Sequence, residues 1–395
     1  MHTVIILDPC FITNQTAYEP YDRLKAVSGA IMWPQDVMGM EESKDDDGAI
    51  LGYVWPEGKV VFPDYFKNKT RELWIDLIVK HHDELSFDAI WIDMNEPANF
   101  GTNEEKPWNW PENATYTWSL KCPESSLDDP PYKTKAAYVY GQDRKITDKT
   151  LCMVARQGDN NDLLHYNVHS LYGWSQSLPT LHATRQATGN RSMVLSRSTF
   201  PGSGKYIGHW LGDNDSKWPH LRESIIGMLE FNLFGIPYIG ADICGFFGNT
   251  NAQLCKRWMQ LGAFYPFSRN HNGIGNIPQD PGFFGEEVAE ASKEALETRY
   301  WLLPYLYTLF HRAHVDGHTV ARPLHHDKYG TGTDSWPDRA IQEHPDSPST
   351  CTTSISTSSC TTRPSRRRMV PCTRRLLNRR RKSDQLQRLR DRTVG

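Results

Sequence analysis

An aspartate that follows a short apolar run is well placed to do chemistry, and Phe87-Asp88-Ala89-Ile90-Trp91-Ile92-Asp93-Met94-Asn95-Glu96-Pro97 supplies one. The apolar run reads as a buried strand, and a carboxylate at the C-terminal end of a barrel strand is held rigidly and is reachable from the open face. Asp93 is therefore a candidate nucleophile. The plainer reading is a turn that caps a following helix, because Asp and Asn favour caps and Pro97 suits a first helical turn. A second run, Gly208-His209-Trp210-Leu211-Gly212-Asp213-Asn214, again sets a carboxylate after a strand-like stretch, although the Asp213-Asn214 pair alone also reads as a turn. Arg197 offers a planar fork of donors at a third strand end, able to hold a hydroxyl and a carboxylate together, or else an ordinary surface ion pair. Gly240-Ala241-Asp242-Ile243-Cys244-Gly245-Phe246 places an acid beside an aromatic, and Ser268-Arg269-Asn270-His271-Asn272 is a cluster of donors in which Arg269 suits pairing with Asp242.

Such groups need a scaffold. Apolar runs at 4–7, 89–92, 193–196, 206–211, 236–240 and 264–267 read as strands, and amphipathic stretches at 69–84, 165–188, 216–233, 252–262 and 286–315 read as helices. This alternation predicts a parallel α/β sheet. Reactive side chains after nearly every strand favour a (β/α)8 barrel over a doubly wound sheet, which gathers its ligand groups at one crossover; no glycine-rich phosphate loop argues otherwise. Asp8 ends the first strand. Trp55 and Trp91 read as pocket walls or as core filling, and a methionine at 94 can simply fill space.

Residues 91–97 resemble the nucleophile motif of glycoside hydrolase family 31, the α-glucosidases, and residues 208–214 resemble its acid/base motif. Matching motifs run in family order from about residue 4 to 324, roughly four fifths of the chain. The resemblance implies retaining hydrolysis of terminal α-linked glucose from maltose-type oligosaccharides, with Asp93 as nucleophile and Asp213 as acid/base. That chemistry needs two carboxyl groups about 5–5.5 Å apart, one ionised and one protonated. The resemblance also implies substrate contacts from Trp55, Trp91, Met94, Arg197, Trp210, Asp242, Phe246, Arg269 and His271, and bridges Cys122–Cys152 and Cys244–Cys255. It implies no cofactor and no metal; in His81-His82-Asp83 neighbouring helical positions diverge and cannot converge on one ion, and His325-His326 is no stronger. Ile92 and the cysteines around Gly245 fit the maltase-type branch better than the endoplasmic-reticulum trimming glucosidase. The family's N-terminal β-sandwich, its first barrel strands and its C-terminal β-domains are not recognisable, so the expected barrel is incomplete, with unpaired edges.

Composition bounds the rest. The 395 residues include 13 Trp and 17 Tyr, which suit a cleft whose rings stack on sugar faces. No stretch of 18 apolar residues occurs, so no membrane span is expected. The first residues read as a strand already inside a domain, without a signal peptide, and the chain is expected to be N-terminally incomplete. Sequons at Asn14, Asn68, Asn113, Asn190 and Asn214 fit passage of the parent protein through the secretory pathway, whether lysosomal, extracellular or cell-surface.

Domain organisation is expected as a partial catalytic barrel over 1–326 and a disordered basic tail over 327–395. Residues 361–395 carry a net +11, which leaves −14 for residues 1–360 out of the whole-chain −3. Three readings of the tail stand side by side: a nucleic-acid-binding segment, solvated sequence without a partner, or a shifted reading frame beyond about residue 326. No nucleic-acid partner is expected. The alternative function is a catalytically incompetent fragment or a sugar-binding, chaperone-like homologue; the presence of both Asp93 and Asp213 argues against it.

Overall fold

Five short runs rich in β-branched and aromatic residues lie side by side in chain order: β1 (Val4–Leu7), β2 (Ala89–Ile92), β3 (Val194–Ser196), β4 (Gly208–Trp210) and β5 (Ile239–Gly240), every neighbouring pair parallel. Sequential order with no reversal is the arrangement of a barrel wall. Past Ala241 the chain resumes as β6 (Asp242–Ile243), which pairs in parallel with β7 (Arg269–Asn270). Phe267 N also donates to Ile239 O at 2.9 Å, so residues 267–270 form the next stave of the wall. A Cβ on Gly240 would lie 1.9 Å from Phe267 O, and only glycine permits that approach. In this computed structural model residues 2–16, 18–37, 41–132 and 144–323 are described; the expected tail at 327–395 and His325-His326 lie outside them.

The strand expected at 264–267 starts later than its apolar pattern suggests. Ala263, Phe264 and Tyr265 turn their N–H groups back to Met259 O, Leu261 O and Gly262 O, and Pro266 has none to donate. Five helices flank the wall: α1 (Asn68–Glu84), α2 (Tyr172–Thr188), α3 (Trp218–Leu233), α4 (Ala252–Gly262) and α5 (Glu286–Asp316). The helix expected over 165–188 is broken by a 3-10 turn at His169–Leu171. Buried His165 bonds Gln157 Oε1 at 2.6 Å and ties the first turn to a neighbouring hairpin.

Alternation along the strands separates two faces. Ile90, Ile92 and Val194 point outward into a core with Leu73, Trp74, Ile78 and Leu181 of α1 and α2, where Trp74 Nε1 donates to Thr180 Oγ1 at 2.9 Å. Ile239 and Ile243 do the same against Met228, Leu254 and Trp258 of α3 and α4. Each such side chain contributes roughly 1.5–3 kcal/mol by leaving water. Leu195, Trp210 and Phe267 face inward with Trp91 and Tyr238. The arc is open at its β1 side: Val4 and Ile6, on the inner face, are 46% and 50% exposed. The six staves among the described residues are too few to satisfy the stagger of an eight-stranded barrel. No helix among the described residues is long and apolar enough to cross a membrane.

Two disulfides fasten loops at the C-terminal rim. Cys122–Cys152 spans a Cα separation of 5.4 Å and Cys244–Cys255 one of 4.6 Å, both within bonding geometry. The second closes 11 residues, for which chain entropy sets a contribution of about 2–3 kcal/mol. The double substitution Cys244→Ser/Cys255→Ser should lower unfolding free energy by that amount in denaturant titration. Reductant opens both bridges and should bring the native chain at least as far down, and a variant as stable as the parent would contradict this.

Candidate active site

The strands end together, Leu7 beside Ile92 and Ile92 beside Ser196, so the residues just beyond them share one rim: Asp8, Asp93 and Arg197, then Asp213 after β4, Asp242 in β6 and Arg269 in β7. The helix-cap reading of the Asp93 segment fails, because residues 94–97 are bend and turn with no helix after them. Met94 takes φ 53°, a left-handed conformation costing of order 1 kcal/mol for such a residue, and its N–H donates to Asp93 Oδ1 at 2.8 Å. Asn95 secures the turn, accepting from Ser198 N at 2.9 Å and donating to Ser196 Oγ at 2.8 Å.

Arg197 makes its fork with Glu96, Nε to Oε1 and Nη2 to Oε2 both at 2.9 Å, while Nε also approaches Asp93 Oδ1 at 3.3 Å. Burial opposes the guanidinium's charge, but the bonded Glu96 and then Asp93 outweigh it and hold its pKa above the ordinary value. Burial raises the Asp93 carboxyl, against the pull of Arg197 and the Met94 N–H. Asp8 is pushed up to about 6, first by burial and then by the charge of Asp93. Asp213 is likewise raised by the protein beneath it, with Arg197 and Arg269 opposing; its open outer side limits that push. The charge of Asp213 reaches Asp93, and both reach Arg197.

On the other side of the rim, Arg269 Nη2 donates to Asp242 Oδ1 at 2.6 Å, the aspartate having no exposed side-chain surface. The guanidinium lies 4.4 Å from the Trp91 ring centre and 5.3 Å from that of Trp210, and the two indoles meet edge to face at 5.0 Å. His271 touches Trp91 at 5.4 Å and stacks on Phe246 at 5.0 Å. Burial, then Arg269, lowers the His271 pKa to about 4, so its imidazole is neutral at physiological pH. A Cβ on Gly245, at φ 92°, would lie 2.5 Å from Ser216 N, which fixes the entry to Phe246. Asn214, the sequon asparagine, spends its side chain on Asp242 O and Phe246 N, both at 3.1 Å, binding the Asp213 loop to β6.

Four buried polar atoms of this cluster lack a partner: Trp91 Nε1, Trp210 Nε1, Asp242 Oδ2 and Arg269 Nε. Each forgoes about 1–3 kcal/mol unless a ligand satisfies it. Trp55, more exposed, donates Nε1 to Met94 Sδ at 2.9 Å. A separate concavity opens on the outer side of Asp213, lined by Leu211, His220, Glu223 and Glu230. Asp93, Arg197, Asp242 and Arg269 do not line it.

The model of the glycosyl hydrolases family 31 TIM-barrel domain matches residues 1–309. The chain belongs to glycoside hydrolase family 31. Its similarity to family members extends to a probable maltase-glucoamylase 2 of Homo sapiens, 43% identical over 83% of this chain and 13% of that protein. The lysosomal alpha-glucosidase of Mus musculus is 41% identical over 81% of this chain and 30% of that protein. Among solved structures, the catalytic subunit in the ER glucosidase II heterodimer superposes with a TM-score of 0.63 at 30% identity, over 83% of this chain and 30% of that one. A family 31 alpha-glucosidase from Bacteroides thetaiotaomicron superposes at 0.56 and 28% identity, over 82% and 43%. The chain thus spans less than a third of the length of these maltase and lysosomal relatives. The higher identity to them than to glucosidase II agrees with the branch read from Ile92 and the cysteines.

The expected site residues fall into two groups: Asp93, Met94, Arg197 and Trp55 on one side, and Trp91, Trp210, Asp242, Phe246, Arg269 and His271 on the other, with Asp213 on the rim in reach of both arginines. Sequence reasoning assigned no role to Glu96, whose signal was a carboxylate three places after the candidate nucleophile, nor to Asn95. His82 bonds Phe87 O at 3.1 Å and packs edge-on against its ring at 4.8 Å, a packing role.

Proposed function

We propose that this family 31 barrel segment carries the catalytic half-site of a retaining α-glucosidase acting on maltose-type oligosaccharides. The observation that carries the reading is two carboxylates on separate strand ends, sharing the field of Arg197 beside four unpartnered buried polar atoms suited to sugar hydroxyls. Met94 N and Arg197 Nε both contact Asp93 Oδ1, leaving Oδ2 to attack. The Asp93 Oδ2–anomeric carbon bond forms as the glycosidic C–O bond breaks, and the departing oxygen takes the proton of Asp213. Asp213 then removes a proton from water, which attacks the same carbon and releases Asp93, and two inversions restore the α configuration. Trp91, Trp210, Asp242, Arg269 and His271 hold the glucose ring, and Trp55 and Met94 wall its entrance. Two disulfides and exposed asparagines in the sequons at 14, 113 and 190 suit a secretory-pathway parent protein.

A fluorinated glucosyl fluoride that reacts quickly and hydrolyses slowly tests the assignment. Labelling of the peptide bearing Asp93, with α-glucose as the first product released from maltose by NMR, is the expected result. A label on another carboxylate, or β-glucose released first, would overturn it.

A further inference from the structure

Trp108 is 76% exposed, yet the loop that carries it is clamped on both sides. Tyr53, almost fully buried, donates its hydroxyl to Asn109 O at 2.5 Å and packs against Trp110 at 5.5 Å. Asn109 Nδ2 donates to Val54 O at 3.1 Å, and Trp110 meets Tyr116 edge-on at 4.9 Å. Lys59 Nζ lies 4.7 Å over Tyr116 and donates to Trp118 O and Ser119 O. These anchors surround an indole that stays in water. Tyr53 and Val54 immediately precede Trp55, so the same clamp fixes the two indoles together: Trp55 meets Trp108 at 5.8 Å and 78°, and Phe100 meets Trp108 at 5.7 Å. Through the Trp55 bond to Met94 this aromatic shelf continues directly from Asp93.

An indole fixed in solvent forgoes its burial energy, and a fixed ring loses little entropy when a flat ligand arrives. The C–H faces of a pyranose are such a ligand. We propose that Trp108 forms an outer subsite on the leaving-group side, stacking on a glucose ring beyond the one joined through the cleaved bond, so that the chain's substrates are maltotriose and longer α-glucans in preference to maltose. This rests on the retaining α-glucosidase reading of Asp93 and Asp213.

The test compares maltotriose with α-glucosyl fluoride, whose leaving group has no ring. Trp108→Ala should lower the ratio of kcat/KM for maltotriose to that for the fluoride by about fivefold to tenfold, the worth of one aromatic stack; an unchanged ratio overturns the subsite. In an Asp93→Asn chain, maltotriose should shift the Trp108 indole N–H resonance, identified by its loss in Trp108→Phe. Saturable binding that leaves this resonance in place overturns the subsite while the functional reading stands. A native chain that neither hydrolyses the fluoride nor binds maltotriose overturns both.

Discussion

Asp93→Ala should reduce turnover of maltose-type substrates by ~10⁴-fold or more, the scale on which removal of a covalent nucleophile acts. The substitution deletes the attacking oxygen but leaves Arg197 anchored, because its two-pronged contact is to Glu96. Folding should therefore survive, and near-ultraviolet circular dichroism should match the parent. The space vacated by the carboxylate also admits a small anion. Added azide should restore release of the leaving group from an activated α-glucoside, with β-glucosyl azide as product, because the anion attacks from the face opposite the leaving group and no second inversion follows. Loss of activity with α-glucosyl azide as the rescued product would place the nucleophile elsewhere.

The carboxyl groups around Arg197 and Arg269 decide which acid can hold a proton. Asp8, Asp93, Asp213, Asp242 and Glu96 gather near two guanidiniums, and burial raises the first four. Asp93 has both a main-chain N–H and Arg197 to stabilise its anion. Asp213 is influenced by the arginines at longer range, which suits the acid/base role proposed for it, in which the proton is kept until the leaving oxygen claims it.

Much of this was legible beforehand for a physical reason. Strand ends of a parallel barrel arrive at one rim whatever their sequence separation, so locating apolar runs and reading the next polar residue was enough to gather Asp93, Arg197, Asp213 and Asp242. Side-chain pairing across the rim was less legible. Arg197 was read as a partner for a catalytic carboxylate, yet its closer contact is Glu96, on the same turn as Asp93, because the turn at Met94 swings Glu96 back toward β3. The late start of β7 was hidden because Phe264 and Phe267 look like strand residues, and the constraint lies in Pro266 and the backbone bonds returning to α4. Trp108 carried no periodic signal at all, since its surroundings are set by Tyr53, from a distant part of the chain, bonding the neighbouring Asn109.

Arg269→Met should cost about 1.4 kcal/mol of unfolding free energy at pH 8, because beside Arg269 the Asp242 carboxyl titrates at about 7, one pH unit lower, and without Arg269 it keeps its proton. Asp242 would be left with no exposed side-chain surface, its Oδ2 already unpartnered and its Oδ1 newly so. Methionine still fills the space between Trp91 and Trp210, so lost packing is the smaller part. The pH dependence separates charge from packing. In the native chain burial raises Asp242 from 3.8 to about 7, with Arg269 pulling the other way. A raised acid binds its proton more tightly when folded, so its favourable contribution is present below the unfolded pKa and is lost as pH climbs through 7. Without Arg269 the carboxyl rises further, and the variant should be close to native stability at pH 5 and fall away as the medium turns alkaline. Asp242→Asn in the Arg269→Met background removes the titrating carboxyl and should recover most of the loss at pH 8. Denaturant midpoints measured for the three proteins at pH 5 and pH 8 give the comparison. A deficit of equal size at both pH values would assign the effect to the Arg269 stack on Trp91 and exclude the ion pair as its cause.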